Sequence, residues 1–119
     1  QNQSSAASDV YKRQYLLCLL EPDMSVYMLV DVDVHNKEEY KKYMEIVKPM
    51  IEDYDGVFLI RDGEIDALET SLWRPTRIVL VRFPNKELAS NWYNSEEYRP
   101  YKKLRLEKAT SNILFIEGL

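Results

Sequence analysis

Two arginines and one aspartate are the side chains best suited to chemistry, and all three lie in stretches that alternate between apolar and polar residues. Arg61 and Arg82 could bind a carboxylate or an enolate through paired hydrogen bonds, and Asp31 could act as a general base if burial raised the pKa of its carboxyl group. The structural alternative for Arg61 is an interface ion pair with an acidic residue of a neighbouring strand (Asp31, Asp33 or Glu117). The two interpretations of Arg61 are equally favoured. For Asp31 a salt bridge that keeps it ionised and inert is favoured.

Three further side chains are candidates for contact with a ligand. His35 lies at a predicted strand-to-helix corner and could be an acid, a base or a haem ligand, but a loop position without a second histidine favours a surface role. Trp73 lies between two strands and could form a pocket lid or a dimer contact. Tyr98 could donate a hydrogen bond, although its helical spacing favours packing. The candidate catalytic residues are thus Asp31 and His35, and the candidate ligand-binding residues are Arg61, Trp73, Arg82 and Tyr98.

The composition excludes several classes of site. The 119 residues include one Cys and one His, which excludes a disulfide framework, a cysteine-cluster zinc site and a multi-histidine metal site. A phosphate-binding glycine loop and a serine nucleophile elbow are absent from the sequence. With 16 basic and 20 acidic residues the net charge is −4, which does not favour nucleic acid, and no apolar run approaches the roughly 20 residues that span a bilayer. We expect a cytoplasmic protein without metal, cofactor, nucleic-acid or membrane partners.

The first 23 residues differ in character from the rest. Residues 1–8 are small and polar, and the apolar run 15–20 is shorter than the roughly 7–15 residues of a signal-peptide core. Because residues 4–14 resemble translated sequencing-adapter sequence, we expect residues 1–23 to be a non-native or disordered extension. Met24 is then the natural start, and residues 24–119 form one domain. The alternative is an N-terminal helix that packs on the domain through its leucines.

The remaining chain alternates predicted strands with predicted helices. Period-two alternation predicts the strands, and apolar residues that recur every three or four positions predict the helices. The first helix begins at Asn36 and contains Pro49, where a kink is expected. The second helical region begins at Pro84-Asn85, has a second cap at Ser95 and ends near Ala109. Residues 65–70 form a short strand or an irregular arm. The predicted strands are Val26–Val34, Val57–Arg61, Arg77–Phe83 and Asn112–Glu117.

This order of elements predicts an α+β fold. It matches a ferredoxin-like split βαβ sandwich, in which an antiparallel sheet has two helices on one face. The face toward the helices is expected to be apolar, whereas the other face mixes charged with large apolar residues. The predicted apolar face includes Phe58, Ile60, Leu114 and Ile116, and the predicted mixed face includes Leu59, Ile113 and Phe115.

The mixed face indicates a covered surface. A solvated sheet face carries fewer large apolar groups, and a core carries no unpaired charges. A ligand cavity or a subunit interface needs both, and a domain of this size gains stability by covering such a face. We therefore expect a homodimer whose sheets meet face to face around a cavity for a small anionic ligand, with an ordinary solvated sheet as the alternative.

Several segments together make the chain similar to the domain of unknown function 1330 family, within the dimeric α/β-barrel superfamily. The most specific is Trp92-Tyr93-Asn94-Ser95-Glu96-Glu97-Tyr98, followed by Arg105, and the others are Tyr40 with Tyr43 and residues 55–63, 68–69, 73–77 and 83–84. The resemblance covers residues 24–119. It implies a small dimeric α/β-barrel protein without an assigned activity, in a superfamily that includes cofactor-independent oxygenases, lactone isomerases and haem-handling proteins. That range implies a pocket and does not select a reaction.

The chain departs from the family pattern at positions that change the charge of the expected cavity. The family usually has Gly-Gly-Arg where this chain has Asp55-Gly56-Val57, and it usually has a glycine near Thr70 and an acidic residue in place of Arg82. If Arg61 and Arg82 both point into the cavity, we expect it to prefer an anion more strongly than its relatives do.

Three functions are consistent with these patterns. The first is a cofactor-independent enzyme acting on a small carbonyl or carboxylate compound, with Arg61 and Arg82 stabilising an anion and Asp31 accepting a proton. The second is a non-catalytic ligand-binding or sensory dimer that uses the same cavity. The third is a structural dimerisation domain with a filled barrel.

Overall fold

The computed structural model describes residues 25–119, so the predicted extension 1–23 and the predicted start at Met24 lie outside the described residues. This part of the chain is an α+β unit of one four-stranded antiparallel sheet and three helices, with strand order β2-β3-β1-β4. The elements are β1 Val26–Val34, α1 Lys37–Asp53, β2 Val57–Arg61, β3 Ile78–Phe83, α2 Lys86–Tyr93, α3 Arg99–Lys108 and β4 Ala109–Glu117.

Strand β1 lies inside the sheet, because it pairs with β3 on one side and with β4 on the other. Its alternation is the one the sequence predicts: Val26, Met28, Val30 and Val32 are buried toward the helices. Burying apolar side chains is the main favourable contribution to folding. The core between this face and the helices is completed by Val79, Val81, Phe83, Tyr43, Met44, Val47, Ile51, Ala89, Trp92, Tyr98 and Ala109.

Helix α1 begins and ends through local side-chain and backbone chemistry. The Asn36 side chain caps its start by accepting a hydrogen bond from the Glu39 amide at 3.0 Å. The helix continues through Pro49, and the chain then reverses at Asp55, which has a left-handed φ of 65°. The next residue, Gly56, is buried, and a Cβ atom there would collide with Ile51.

The second helical region contains two helices that are divided near the second cap predicted at Ser95, so the total is three helices and not the two expected. Helix α2 ends at Tyr93, and Asn94 and Ser95 form a turn before α3 begins at Arg99. The Ser95 hydroxyl donates to the Trp92 carbonyl and accepts from the Tyr98 amide, so it caps a turn and not the first turn of α3. Pro100 lies in the first turn of α3, where its missing N–H costs no intrahelical hydrogen bond.

The predicted face assignments of all four residues 113–116 in β4 are also wrong. Strand β4 pairs Phe115 with Met28 and Leu114 with Leu29, so Phe115 lies toward the helices and Leu114 on the other face. All four residues 113–116 are apolar, and alternation alone could not distinguish their two sides. Similarly, Ile113 lies on the core side and Ile116 on the opposite face.

Strand β2 changes its register between Phe58 and Ile60, where Leu59 is an extra residue. Phe58 packs against the core as predicted, but Ile60 pairs with Leu80 on the face away from the helices. We call the sheet face away from the helices the open face. Residues 62–77 connect β2 to β3 without a helix or strand, which confirms the irregular-arm alternative for residues 65–70.

Candidate functional site

Asp31 lies on the open face but is engaged in structural hydrogen bonds. Its side chain is buried (8% exposed) and accepts three N–H groups: the Trp73 indole at 2.7 Å, the Thr76 amide at 2.8 Å and the Arg77 amide at 3.1 Å. Charge-assisted hydrogen bonds of this kind stabilise a carboxylate in place. Within residues 25–119 Asp31 forms no ion pair with an arginine, and its contacts instead attach the arm 62–77 to the centre of the sheet.

The two arginines predicted to share a cavity lie on different sides of the sheet. Arg82 pairs with Tyr27 and Val57 on the open face and is half-buried. Because of the register shift in β2, Arg61 pairs with Val79, a core residue, and is exposed. The expectation that Arg61 and Arg82 point into one cavity is therefore wrong. The ion pairs within residues 25–119 do not include either arginine; they are Lys48–Glu52, Arg77–Asp62 and Arg99–Glu96.

His35 and Trp73 each contact one polar partner. His35 is exposed at the end of β1, and its Nε2 lies 3.2 Å from the Thr110 hydroxyl of the neighbouring strand. Trp73 is partly exposed in the arm, and its indole N–H is engaged by Asp31. Trp73 therefore lies close to the open face. Its two predicted roles, as a pocket lid or as a dimer contact, stay predictions.

A cluster of polar groups is buried on the other side of the sheet, between the helices. The hydroxyls of Tyr43 on α1 and Tyr98 before α3 are 2.7 Å apart. Arg105 on α3 donates from Nε to the Tyr98 hydroxyl at 3.2 Å and from a terminal nitrogen to the Ser111 hydroxyl at 2.5 Å. Trp92 stacks at a tilt on Tyr98 with ring centroids 4.3 Å apart. We call Tyr43, Trp92, Tyr98 and Arg105 the Tyr–Arg cluster.

Two side chains of the Tyr–Arg cluster are buried without the partners that such groups usually have. Arg105 is 6% exposed, and none of its hydrogen-bond partners within residues 25–119 is a carboxylate. Trp92 is 1% exposed, and its indole N–H has no hydrogen-bond partner in the described part of the chain. Buried charges are usually paired and buried N–H groups are usually bonded, so each exception needs a physical explanation.

A small cavity of about 30 Å³ touches all four residues of the Tyr–Arg cluster. A second cavity of about 20 Å³ lies closer to the start of α1 and the end of α3, and it shares Tyr40, Tyr43 and Arg105 with the first. One water needs about 10–15 Å³, so these spaces accommodate a group of only a few atoms.

Tyr43 and Tyr40, which line this cavity, are held in their neutral form. Burial raises the pKa of Tyr43, and the neighbouring Tyr98 raises it further. Burial also raises the pKa of Tyr40 to about 12, with the Asp62 carboxylate as the second cause. For Arg105 burial alone would lower the pKa, but the tyrosine oxygens of Tyr98 and Tyr43 reverse the effect and raise it. The cluster thus combines the Arg105 cation with the protonated hydroxyl of Tyr43.

A family model described as Domain of unknown function (DUF1330) matches residues 25–119. The chain belongs to the DUF1330 family. No curated protein gives a significant match to the sequence.

Solved structures share the fold of this DUF1330 chain at low sequence identity. The RPA0582 protein of Rhodopseudomonas palustris, described as a protein of unknown function, aligns with a TM-score of 0.66 and 14% identity over 99% of this chain and 95% of that one. A conserved protein of Bacteroides thetaiotaomicron, described as a possible oxidoreductase, aligns with a TM-score of 0.50 and 20% identity over 81% of this chain and 99% of that one. These likenesses establish a shared fold.

Residues 25–119 of the DUF1330 chain lack two kinds of feature. These residues contain no group of three or more His, Cys, Asp or Glu side chains placed to hold a metal ion. None of their helices has the length and apolar character needed to cross a membrane.

The sequence patterns identified Arg105 only as part of the family motif and did not predict its burial. The DUF1330 motif includes Tyr98, and Tyr101 and Arg105 follow it at spacings of three and four residues, which puts all three on one helical face. An arginine on the buried face of an otherwise basic helix was the signal that could have identified it. Tyr98 was a candidate ligand contact, with packing as the favoured alternative; the structure packs it in the core and bonds its hydroxyl to Tyr43.

Proposed function

We propose that this DUF1330 chain is a homodimeric, ferredoxin-like α/β-barrel protein that binds a small carbonyl or carboxylate compound and acts on it without a cofactor. One observation supports this most: the open face carries an uninterrupted apolar row across all four strands. The row consists of Ile60, Leu80, Leu29 and Leu114, which are paired side by side from β2 to β4.

The next row of the open face supports an interface that also contains a charge. It consists of Val57, Arg82, Tyr27 and Ile116. Leu114 and Ile116 are 50% and 48% exposed in the single chain. Contiguous exposed apolar surface on a small protein is typical of a protein–protein interface, and a two-fold axis lets the same patch cover itself.

The strand order supports the ferredoxin-like part of the proposal. In β2-β3-β1-β4 the two strands joined by each helical connection are separated by one intervening strand, as the split βαβ unit requires. The helices α2 and α3 together occupy the second connection, so the break at Asn94 and Ser95 alters one crossover without altering the topology.

Solution mass tests the dimer. Replacing Ile116 by lysine places a charge in the proposed interface twice, once per subunit, so we expect the dimer dissociation constant to rise at least about a hundredfold. Ile46→Lys is the matched control, because Ile46 is an isoleucine on α1 with a similar exposure, 43% against 48% for Ile116. Sedimentation equilibrium of the two variants and the wild type measures the constant. A monomeric wild type, or equal weakening by both substitutions, would contradict the proposed interface.

A panel of small oxo acids and keto acids tests the activity. Turnover followed by proton NMR supports an enzyme. Thermal stabilisation of the protein without turnover supports the second candidate, a non-catalytic ligand-binding dimer. That candidate is favoured by one contact: the predicted proton acceptor Asp31 already accepts three hydrogen bonds from the arm. A panel that produces neither effect would overturn both functions and leave a structural dimerisation domain.

A further inference from the structure

We propose that the Tyr–Arg cluster binds the carboxylate group of a small organic acid, on the helix side of the sheet. This inference rests on the proposed function in taking the ligand to be a small anion. It differs in location, because the anionic group lies at Arg105 inside each protomer and not at Arg82 between the two sheets.

The charge of Arg105 is the first argument. Arg105 is almost fully buried, and its guanidinium forms hydrogen bonds only with the hydroxyls of Tyr98 and Ser111 among residues 25–119. A buried charge that lacks a counter-ion is strongly unfavourable, and removing water from it makes an incoming anion bind more strongly. Arginine also matches the planar geometry of a carboxylate through two parallel N–H groups.

A surplus of hydrogen-bond donors is the second argument. The guanidinium has five N–H donors, and two of them are used by Tyr98 and Ser111. Tyr43 and Tyr98 share one hydrogen bond, so one of their two hydroxyl protons has no acceptor in the described part of the chain. The Trp92 N–H is also without a partner there. A group that accepts several hydrogen bonds and carries negative charge would satisfy these donors together.

The space beside the cluster limits the size of that group. The cavity of about 30 Å³ is lined by the Tyr–Arg cluster and by apolar core side chains around it. The adjoining cavity of about 20 Å³ reaches Asn36, Glu39 and Lys108, at the start of α1 and the end of α3. A carboxylate head fits the first space and a short carbon chain the second, whereas a large substrate does not fit without rearrangement.

The two indole N–H groups of the chain report on this site and on a control position. The sequence has two tryptophans, and only Trp92 lies in the cluster, because Trp73 donates to Asp31 on the other face. The probe is sodium acetate, titrated into the ¹⁵N-labelled full chain, with sodium chloride at matched ionic strength. We expect the Trp92 indole signal to shift saturably with acetate while the Trp73 signal stays fixed.

Substitutions then identify the cation. Arg105→Gln should weaken acetate binding at least about tenfold, because it removes the charge-assisted hydrogen bonds. Lys103→Gln is the control, since Lys103 is an exposed cation on the same helix, and it should change the affinity less than about twofold. If Arg105→Gln does not fold, Tyr43→Phe keeps the ring and removes one hydroxyl, and a severalfold weakening is expected.

Four outcomes would overturn the inference. In the first, acetate binds but leaves the Trp92 signal fixed, and Arg82→Gln abolishes the binding. The anion then lies between the sheets, which supports the proposed function and contradicts the helix-side site. Chloride that shifts the Trp92 signal as acetate does contradicts a carboxylate site. Equal affinities in Arg105→Gln and wild type exclude the guanidinium as the anion's partner. In the last, the chain sediments as a dimer and turns over a larger compound but does not bind acetate. This result contradicts the helix-side carboxylate site and leaves the proposed function intact.

Discussion

Replacing Asp31 by asparagine tests whether this residue anchors the arm. The substitution keeps the shape of the side chain, and its remaining oxygen can still accept the Thr76 and Arg77 amides. The new NH₂ group faces the Trp73 indole, so two donors oppose each other where a hydrogen bond of 2.7 Å existed. If the amide rotates by 180°, its NH₂ group faces the Thr76 and Arg77 amides instead, so donors still oppose donors.

The expected loss follows from the number and type of these bonds. A hydrogen bond to a charged group contributes about 1.5–3 kcal/mol and one to a neutral group about 0.5–1.5 kcal/mol. One bond is lost and two are weakened, but the Trp73 indole is partly exposed and recovers water. We therefore expect Asp31→Asn to reduce the free energy of unfolding by about 2 kcal/mol.

Urea denaturation at one fixed protein concentration measures the loss, because the stability of a dimer depends on concentration. The control is Asp33→Asn, an exposed aspartate on the same strand and the same face, for which a change within about 0.5 kcal/mol is expected. The Trp73 indole signal should also move in Asp31→Asn. Equal, small effects of the two substitutions, with an unchanged Trp73 signal, would refute the anchoring role.

Three further predictions concern the helix end and the buried tyrosines. Asp55→Gly should stabilise the protein by about 0.5–1 kcal/mol, because Asp55 has a φ of 65° that glycine adopts freely. Gly56→Ala should destabilise it by about 1–3 kcal/mol, since its Cβ would collide with Ile51, and urea denaturation measures both changes. Burial raises the pKa of Tyr40 to about 12, so the folded state disfavours its ionisation and stability should fall as the pH rises from about 10 toward 12. Tyr40→Phe removes the ionisable group, so it should be nearly neutral at pH 8 and should flatten this decline; stability that rises with pH in that window would contradict it.

The sequence predicted the parts of the fold that local patterns determine. The apolar alternation of β1 is unambiguous because Asp31 and Asp33 mark its other side. The Asn36 cap likewise forms as predicted, since it needs only residues three positions apart. In β4, by contrast, residues 113–116 are all apolar, and only the pairing with β1 decides which of them face the core.

The candidate site was less predictable, because its contacts join residues that are far apart in the chain. Tyr43 and Tyr98 meet across 55 positions, and the donors to Asp31 come from an arm without secondary structure. The extra residue Leu59 in β2 moved Arg61 away from Arg82, and an isolated strand gives no sign of such a shift. Residue types identified which side chains matter, but three-dimensional packing decided which of them meet.

Intersubunit nuclear Overhauser effects test the proposed sheet-to-sheet dimer most directly. In a sample that mixes ¹³C-labelled with unlabelled chains, filtered spectra report only contacts between subunits. We predict such contacts from the methyl groups of Leu29 and Leu114, at the centre of the apolar row of the open face. Contacts that arise only from helix residues such as Ile46, or a spectrum without intersubunit contacts, would contradict it.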